Sequence, residues 1–127
     1  MSARRVVGAG CSRGCPPAEL AALVDAALAG VAGRVVAVAT IDGRCEEPCV
    51  VALAGTHGVP LRAHSAAVLA EVPVPTPSPV VERHVGTASV AEAAALLAAG
   101  PGARLAVAKR RSAHATCAIA EAAPWRA

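Results

Sequence analysis

The sequence predicts an α/β fold: a single three-layer α/β/α domain with a mostly parallel, mixed sheet and a C-terminal β-hairpin. Valine-rich apolar runs alternate with alanine-rich segments of helical periodicity, an order typical of parallel strands joined by helices. The closing segments LAVAK and ATCAIAEA flank RRSAH and indicate an antiparallel pair. Because 127 residues is close to the commonest size of one domain, we expect residues 1–127 to form a single domain.

Local patterns predict each element of the first half. Apolar residues recur at helical spacing after Pro17, and Gly30 ends that pattern. The valine-rich run that follows is continuous, as in strands that are covered on both faces. Acidic residues and a proline then suit the first turn of another helix. In chain order we expect a strand ending at Gly8, a helix from Pro17 to Gly30, a strand over 34–42 and a helix from Glu46 to about Thr56.

The second half begins with a third strand, GVPLRAHS, whose last residue, Ser65, can cap a short helix that runs through Glu71. Four prolines in VPVPTPSP exclude a sheet ladder or a helix interior, so we expect an extended loop there. Ser89 and Glu92 have the spacing of a capping box in front of an alanine-rich helix, and Gly100 ends that helix. The hairpin follows.

Composition excludes several classes of protein. The hydrophobic fraction of 55% is mostly alanine, and no apolar stretch long enough to span a bilayer lacks a charge. The N-terminal segment runs at once into glycines and does not make the apolar core of a signal peptide. We therefore expect a cytoplasmic protein without a membrane partner. A net charge of +3 and a single aromatic residue, Trp125, also argue against a nucleic-acid partner.

Ligands of such folds bind beyond the carboxyl ends of the strands, where VGAGCSRGC follows the first strand. Arg13 replaces the third glycine of the dinucleotide fingerprint, and Gly14 comes one residue late. Asp42 follows the second strand, but it lies farther beyond the glycine loop than the about 20 residues that separate that loop from a ribose-binding acid. Two interpretations remain: an anion-binding turn in which Arg13 and helix-end amides hold a phosphate or carboxylate, and a plain strand-to-helix turn.

Two C-x-x-x-C pairs, Cys11 with Cys15 and Cys45 with Cys49, are expected at the same edge. Four thiolates could hold zinc, but this spacing is wider than that of the usual zinc knuckle, so we predict no metal and no cofactor. A metal or redox role of the four cysteines is left open. Two histidines, at positions 64 and 114, are also expected near the cleft, without an assigned role.

Five segments, taken together and in order, cover nearly the whole chain: VGAGCSRG, AELAALVDAAL, ATIDGRCEEPCVVALA, GVPLRAHSAAVLAEVPVPTPSPVVERHVGTASVAEAAALLAAG and LAVAKRRSAHATCAIA. Jointly they resemble the CobE family, which is similar to the C-terminal domain of CbiG, and both belong to cobalamin biosynthesis. The resemblance implies a protein that binds a polycarboxylate corrinoid or precorrin intermediate, as a small enzyme or as a handling factor beside other enzymes of the pathway. The alternative is a small anion-binding α/β module that acts on a nucleotide or phosphorylated metabolite.

The resemblance also implies site residues. CbiG-type enzymes open a ring lactone and release a two-carbon fragment, which needs a base for water and a stabiliser of developing charge. Asp42 or Glu46 would be the catalytic base, and Arg13 the stabiliser. The substrate-binding residues that it implies are Gly8, Gly10, Cys11, Arg13, Gly14, Thr40, Lys109 and Ser112, and Pro48 completes the pattern.

Overall fold

Strands and helices alternate in the computed structural model, which describes residues 3–74 and 90–123. The expected proline-rich loop lies beyond residue 74 for most of its length, and Ser89 also lies outside the described residues. In chain order the elements are β1 (Arg4–Cys11), α1 (Pro17–Leu28), β2 (Arg34–Ile41), a 3-10 turn (Asp42–Arg44), α2 (Pro48–His57), β3 (Leu61–His64), α3 (Ala66–Ala70), α4 (Val90–Ala99), β4 (Arg104–Arg111) and β5 (Ala115–Glu121).

The five strands form one mixed sheet in the order β3-β2-β1-β5-β4. β1, β2 and β3 are parallel, and β5 runs antiparallel to both β1 and β4. Helices α1 and α2 cover one face, and α3 and α4 cover the other. The predicted α/β fold with a C-terminal hairpin is therefore confirmed.

Alternation along β1 divides the core into two apolar layers. Val7 packs with Leu20 and Val24 of α1, whereas the preceding Val6 packs with Leu69 of α3 and the alanines of α4. Successive side chains of a strand point to opposite faces, so a strand covered on both sides is apolar without interruption. This explains why the valine runs of β1 and β2 show no polar alternation.

β1 is longer than expected, because it continues through Gly8 and Gly10 to Cys11. The strand continues because it pairs with β5 as far as Cys11 and Ala115, and α4 crosses it at the two glycines. A Cβ on Gly8 would overlap the carbonyl oxygen of Ala91 and lie 2.9 Å from the Cβ of Ala95. A Cβ on Gly10 would lie 2.7 Å from Thr116 Oγ1. The expectation that the strand ends at Gly8 was wrong, since these glycines permit close packing inside a strand.

Several element ends were also placed correctly or nearly so. Ser65 caps α3, and its Oγ accepts a hydrogen bond from the amide of Val68 at 3.2 Å. α2 begins at Pro48 with Glu47 as its N-cap, so Glu46 lies before the helix and not in its first turn. β4 is longer than the predicted segment LAVAK, β5 ends one residue before the end of ATCAIAEA, and residues 112–114 form the turn.

No helix within the described ranges is both long enough and apolar enough to cross a membrane.

Gly8→Ala should destabilise the protein by about 1–3 kcal/mol or more, because the new methyl group overpacks the contact with α4. The matched control is Gly55→Ala, on the exposed side of α2, where a new Cβ meets no atom within 4 Å. That control should stabilise the helix by up to about 1 kcal/mol. Urea unfolding of the two variants and the wild type measures both changes, and equal stability of the two variants would contradict the packing role of Gly8.

Candidate functional site

Four segments meet at the carboxyl edge of the parallel strands. The loop over 12–16 follows β1, the turn at Asp42 follows β2, and β3 ends at His64. β4 runs in the same direction as these strands, because both β4 and β1 are antiparallel to β5. The β4–β5 turn, residues 112–114, therefore reaches the same edge, which we call the carboxyl edge below.

The loop after β1 uses its backbone amides within the protein. Ser12 N donates to the carbonyl oxygen of His114 at 2.8 Å, and Cys15 N donates to that of Ser12 at 3.1 Å. Gly14, with a φ of 79°, donates its amide to Glu47 Oε1 at 2.6 Å. The anion that this loop holds is thus a carboxylate from the start of α2.

The start of α1 offers few donors to a ligand. Pro16 is the N-cap and Pro17 the first helical residue, and neither has an N–H. The amide of Glu19 donates to the carbonyl oxygen of Pro16 at 3.1 Å. The prolines and Glu47 therefore leave fewer backbone donors for a ligand anion than the expected cradle would use. The Arg13 side chain remains: it is exposed and makes no hydrogen bond or ion pair with any described residue.

Three of the expected binding residues lie beneath this edge. Gly8 and Gly10 belong to β1 and are covered by α4. Thr40 is fully buried, and its Oγ1 donates to the carbonyl oxygen of Ala9 at 2.8 Å, which ties β2 to β1. These residues shape the sheet under the site and present no group at its surface.

The cysteines do not gather as four thiols. Cys11 and Cys15 both contact the thiol of Cys49, whereas Cys45 Sγ donates to the carbonyl oxygen of Asp42 at 3.1 Å. Burial, followed by the contacts with Cys49, raises the pKa of the Cys11 thiol to about 12 and that of Cys15 to about 11. A zinc ion would have to displace these protons, and the free-energy cost of that displacement rises with the thiol pKa. Among the described residues no three metal-ligating side chains are arranged to hold an ion.

The two expected catalytic carboxylates, Asp42 and Glu46, are exposed. Neither side chain makes a hydrogen bond with another side chain in the described part of the protein. His64 lies near Asp42, and burial lowers the pKa of its imidazole although the Asp42 charge opposes that shift. Its Nε2 is buried without a partner among the described residues. The structure therefore brings His64 beside Asp42 but gives neither carboxylate a positioned partner.

Glu19 joins α1 to the β4–β5 turn. Its Oε2 accepts hydrogen bonds from Ser112 Oγ at 2.5 Å and from the amide of His114 at 2.6 Å, and its Oε1 lies 2.9 Å from His114 Nδ1. Hydrogen bonds from Ser112 and His114 lower the pKa of Glu19 to about 2. Ser112, an expected binding residue, is thus held by Glu19. Sequence reasoning missed this cluster because a long-range contact leaves no local pattern.

Lys109 is anchored through its backbone. The register of β4 against β5 is irregular between Val107 and Arg110, and within that stretch the amide of Lys109 donates to Glu92 Oε2 at 2.9 Å. Glu92 has an exposed fraction of 0%. The capping-box spacing identified Glu92 as a helix-start residue but did not indicate this contact with β4.

Almost the whole chain matches one family model, described as "Cobalamin synthesis G C-terminus", over residues 5–120. The chain belongs to this family. The Protein CobE of Sinorhizobium sp is 46% identical to this chain, in an alignment that covers 96% of this chain and 82% of that protein. The expected membership of the CobE family, with its similarity to the C-terminal domain of CbiG, is confirmed.

Solved structures agree with this assignment. The crystal structure of CobE, "a protein from the cobalamin (vitamin B12) biosynthetic pathway", superposes with a TM-score of 0.87 at 37% identity, covering 99% of this chain and 95% of that one. The cobalamin biosynthesis protein chiG from Agrobacterium tumefaciens str. C58 has a TM-score of 0.65 at 32% identity, covering 94% and 98% respectively. This CobE-family chain is accordingly a protein of cobalamin biosynthesis.

Glu19→Gln should lose a pH-dependent part of the stability, because the ionised carboxylate is favoured in the folded protein. A pKa lowered from 4.5 to about 2 stabilises the fold above pH 4.5, and this contribution is lost as pH falls from 4.5 to about 2. Melting temperatures of wild type and Glu19→Gln should therefore differ at neutral pH and converge in acid. Glu71→Gln, at the exposed end of α3, is the control and should follow the wild type. A difference that persists at the acid end would contradict the role of the Glu19 charge.

Proposed function

We propose that this chain binds a polycarboxylate corrinoid intermediate of cobalamin biosynthesis at the carboxyl edge and hands it between enzymes of the pathway. The observation that carries the proposal is the exposed guanidinium of Arg13, which has no partner in the described residues at the edge where this fold binds ligands. We further propose that residues 1–127 act as one domain in the cytoplasm, with the enzymes that make and use the corrinoid as partners.

The chemistry of the ligand suits such an edge. A corrinoid is a wide apolar ring with acetate and propionate side chains, so its periphery carries several flexible carboxylates. An arginine can bind a carboxylate through two parallel hydrogen bonds, which lysine cannot reproduce. Arg111, exposed at the end of β4, adds positive charge on the other side of the edge. Long cationic side chains can reach carboxylates around a ring that is too wide for a narrow pocket.

A phosphate-bearing ligand has less support. Phosphate sites at strand-to-helix turns use several backbone amides at a helix N-terminus. Here Pro16 and Pro17 lack those amides, and the amide of Gly14 is bonded to Glu47. The nucleotide or phosphorylated-metabolite alternative therefore loses the structural feature that favoured it.

Binding is also better supported than hydrolysis. A general base must be held within hydrogen-bonding reach of the water that it deprotonates. Asp42 and Glu46 are exposed, and no described side chain holds either carboxylate in place by a hydrogen bond. We therefore infer that the chain carries its corrinoid without opening a ring lactone.

Arg13→Ala should weaken binding of cobyrinic acid, a corrin with free carboxylates, by about 10- to 150-fold, the effect of losing a charge-assisted hydrogen bond. Arg13→Lys should lie between alanine and wild type, because the paired hydrogen bonds are lost and the charge is kept. Visible-absorbance titrations at low and high salt measure this, and salt should weaken the wild type more than the alanine variant.

Arg34→Ala is the matched control for Arg13→Ala, because it removes the same charge from an exposed arginine at the start of β2, on the opposite edge of the sheet. This control should bind like wild type apart from a small uniform effect of charge. Equal weakening by the two substitutions would show that Arg13 acts only through net charge, and no binding by wild type would refute the proposed function.

Asp42→Asn and Glu46→Gln should bind cobyrinic acid within about twofold of wild type and change the free energy of unfolding by less than about 0.5 kcal/mol, as expected of exposed substitutions. The wild-type chain alone should release no two-carbon fragment from a lactone-bearing precorrin. Mass spectrometry of the reaction mixture measures that release. Fragment release by wild type that Asp42→Asn abolishes would establish a hydrolase and contradict the carrier role.

A further inference from the structure

His114 is held in place from two sides at the carboxyl edge. Its Nδ1 lies 2.9 Å from Glu19 Oε1, and its backbone carbonyl oxygen accepts a hydrogen bond from the amide of Ser12 at 2.8 Å. The His114 side chain is nevertheless 56% exposed. Nε2 has no hydrogen-bond partner in the described ranges, so the ring is oriented but one of its two nitrogens is available.

The contact with Glu19 determines what that nitrogen can do. An imidazole whose Nδ1–H is donated to a carboxylate keeps a lone pair on Nε2 when the ring is neutral, and donates from both nitrogens when the ring is protonated. In the protonated state Glu19 balances the charge on one side while Nε2–H faces outward. A neutral ring has no such donor for an anion, so an anionic ligand binds the protonated ring only.

We propose that His114 binds a second carboxylate of the corrinoid, next to the one bound by Arg13, and that this contact takes up one proton. The inference rests on the proposed function. The hydrogen bond from Ser12 to His114 joins the loop that carries Arg13 to the turn that carries His114. The two donors thus lie on neighbouring segments and suit two carboxylates on one part of the ring periphery. The proton comes from solvent, adds to Nε2 and is shared with the ligand carboxylate.

Three charged groups surround His114 at this edge. Glu19 faces it from α1, Arg13 lies in the loop beside it, and Arg111 precedes it on β4. Glu19, with a pKa lowered to about 2 by its hydrogen bonds with Ser112 and His114, stays ionised through the neutral range. Because imidazole is the kind of side chain that gains a proton most readily near neutral pH, proton uptake on binding is the test of a contact with Nε2.

Calorimetry of cobyrinic acid binding in two buffers with different ionisation enthalpies measures the proton uptake. Wild type should take up a measurable fraction of one proton on binding, and its affinity should fall as the pH rises, because the neutral ring cannot donate from Nε2. His114→Gln should bind about tenfold more weakly at low pH, the loss of a charge-assisted hydrogen bond, and should take up no proton. His57→Gln, at the end of α2 on the opposite edge, should behave as wild type.

Two further measurements separate the possible outcomes. Cobinamide, in which the ring carboxylates are amides, should bind wild type and His114→Gln equally and without proton uptake. Nitrogen NMR of the wild-type imidazole should show the ring becoming protonated on addition of cobyrinic acid, a result that does not depend on whether the variant folds. Binding of cobyrinic acid with no proton uptake and no change at the imidazole would overturn the role of His114 and leave the proposed function standing. No binding by wild type would overturn both.

Discussion

The close packing of α4 against the central strand β1 is the constraint on which the rest of the structure depends. Gly8 has no side chain where the backbone of Ala91 crosses it, and Ala95 packs onto the same position. The first half of α4 is buried at every residue from Ala91 to Ala95. With almost no side-chain volume between them, helix and strand come close together. This close packing explains the run of alanines in the first half of α4.

One buried carboxylate joins α4 to the strand that leads to the carboxyl edge. Glu92, on the buried face of α4, accepts a hydrogen bond from the amide of Lys109 where β4 departs from regular pairing with β5. An amide left without a partner in such a stretch would cost about 1–3 kcal/mol. β4 then leads into the turn that presents Ser112 and His114 to Glu19. α4 therefore holds the last part of β4 from one face of the sheet, and α1 holds the turn that follows from the other face.

The layer order and the hairpin could be predicted from the sequence because they depend on periodicity, which is a local property. The Ser65 cap was predictable for the same reason. The glycines of β1 were not, because a glycine that begins a loop and a glycine that admits a helix look alike in a single sequence. Arg13 was correctly placed in an exposed turn, whereas the pairing of Gly14 with Glu47 joins segments that are distant in the chain. No short pattern records such a contact.

At the carboxyl edge the protein's own acids use several backbone donors, and the side chains of Arg13 and His114 remain exposed. Glu47 binds the amide of Gly14, and Glu19 binds the amide of His114. Fixed amides suit a compact anion, such as a phosphate, whose oxygens all lie within one small volume. A large ring with carboxylates on flexible arms would need donors that reach farther and can adjust, which is the chemistry proposed above for Arg13 and His114. Because Glu47 and Glu19 hydrogen-bond the loop and the turn that carry these two side chains, the proposed site would lose less entropy on binding than one built on segments without such contacts.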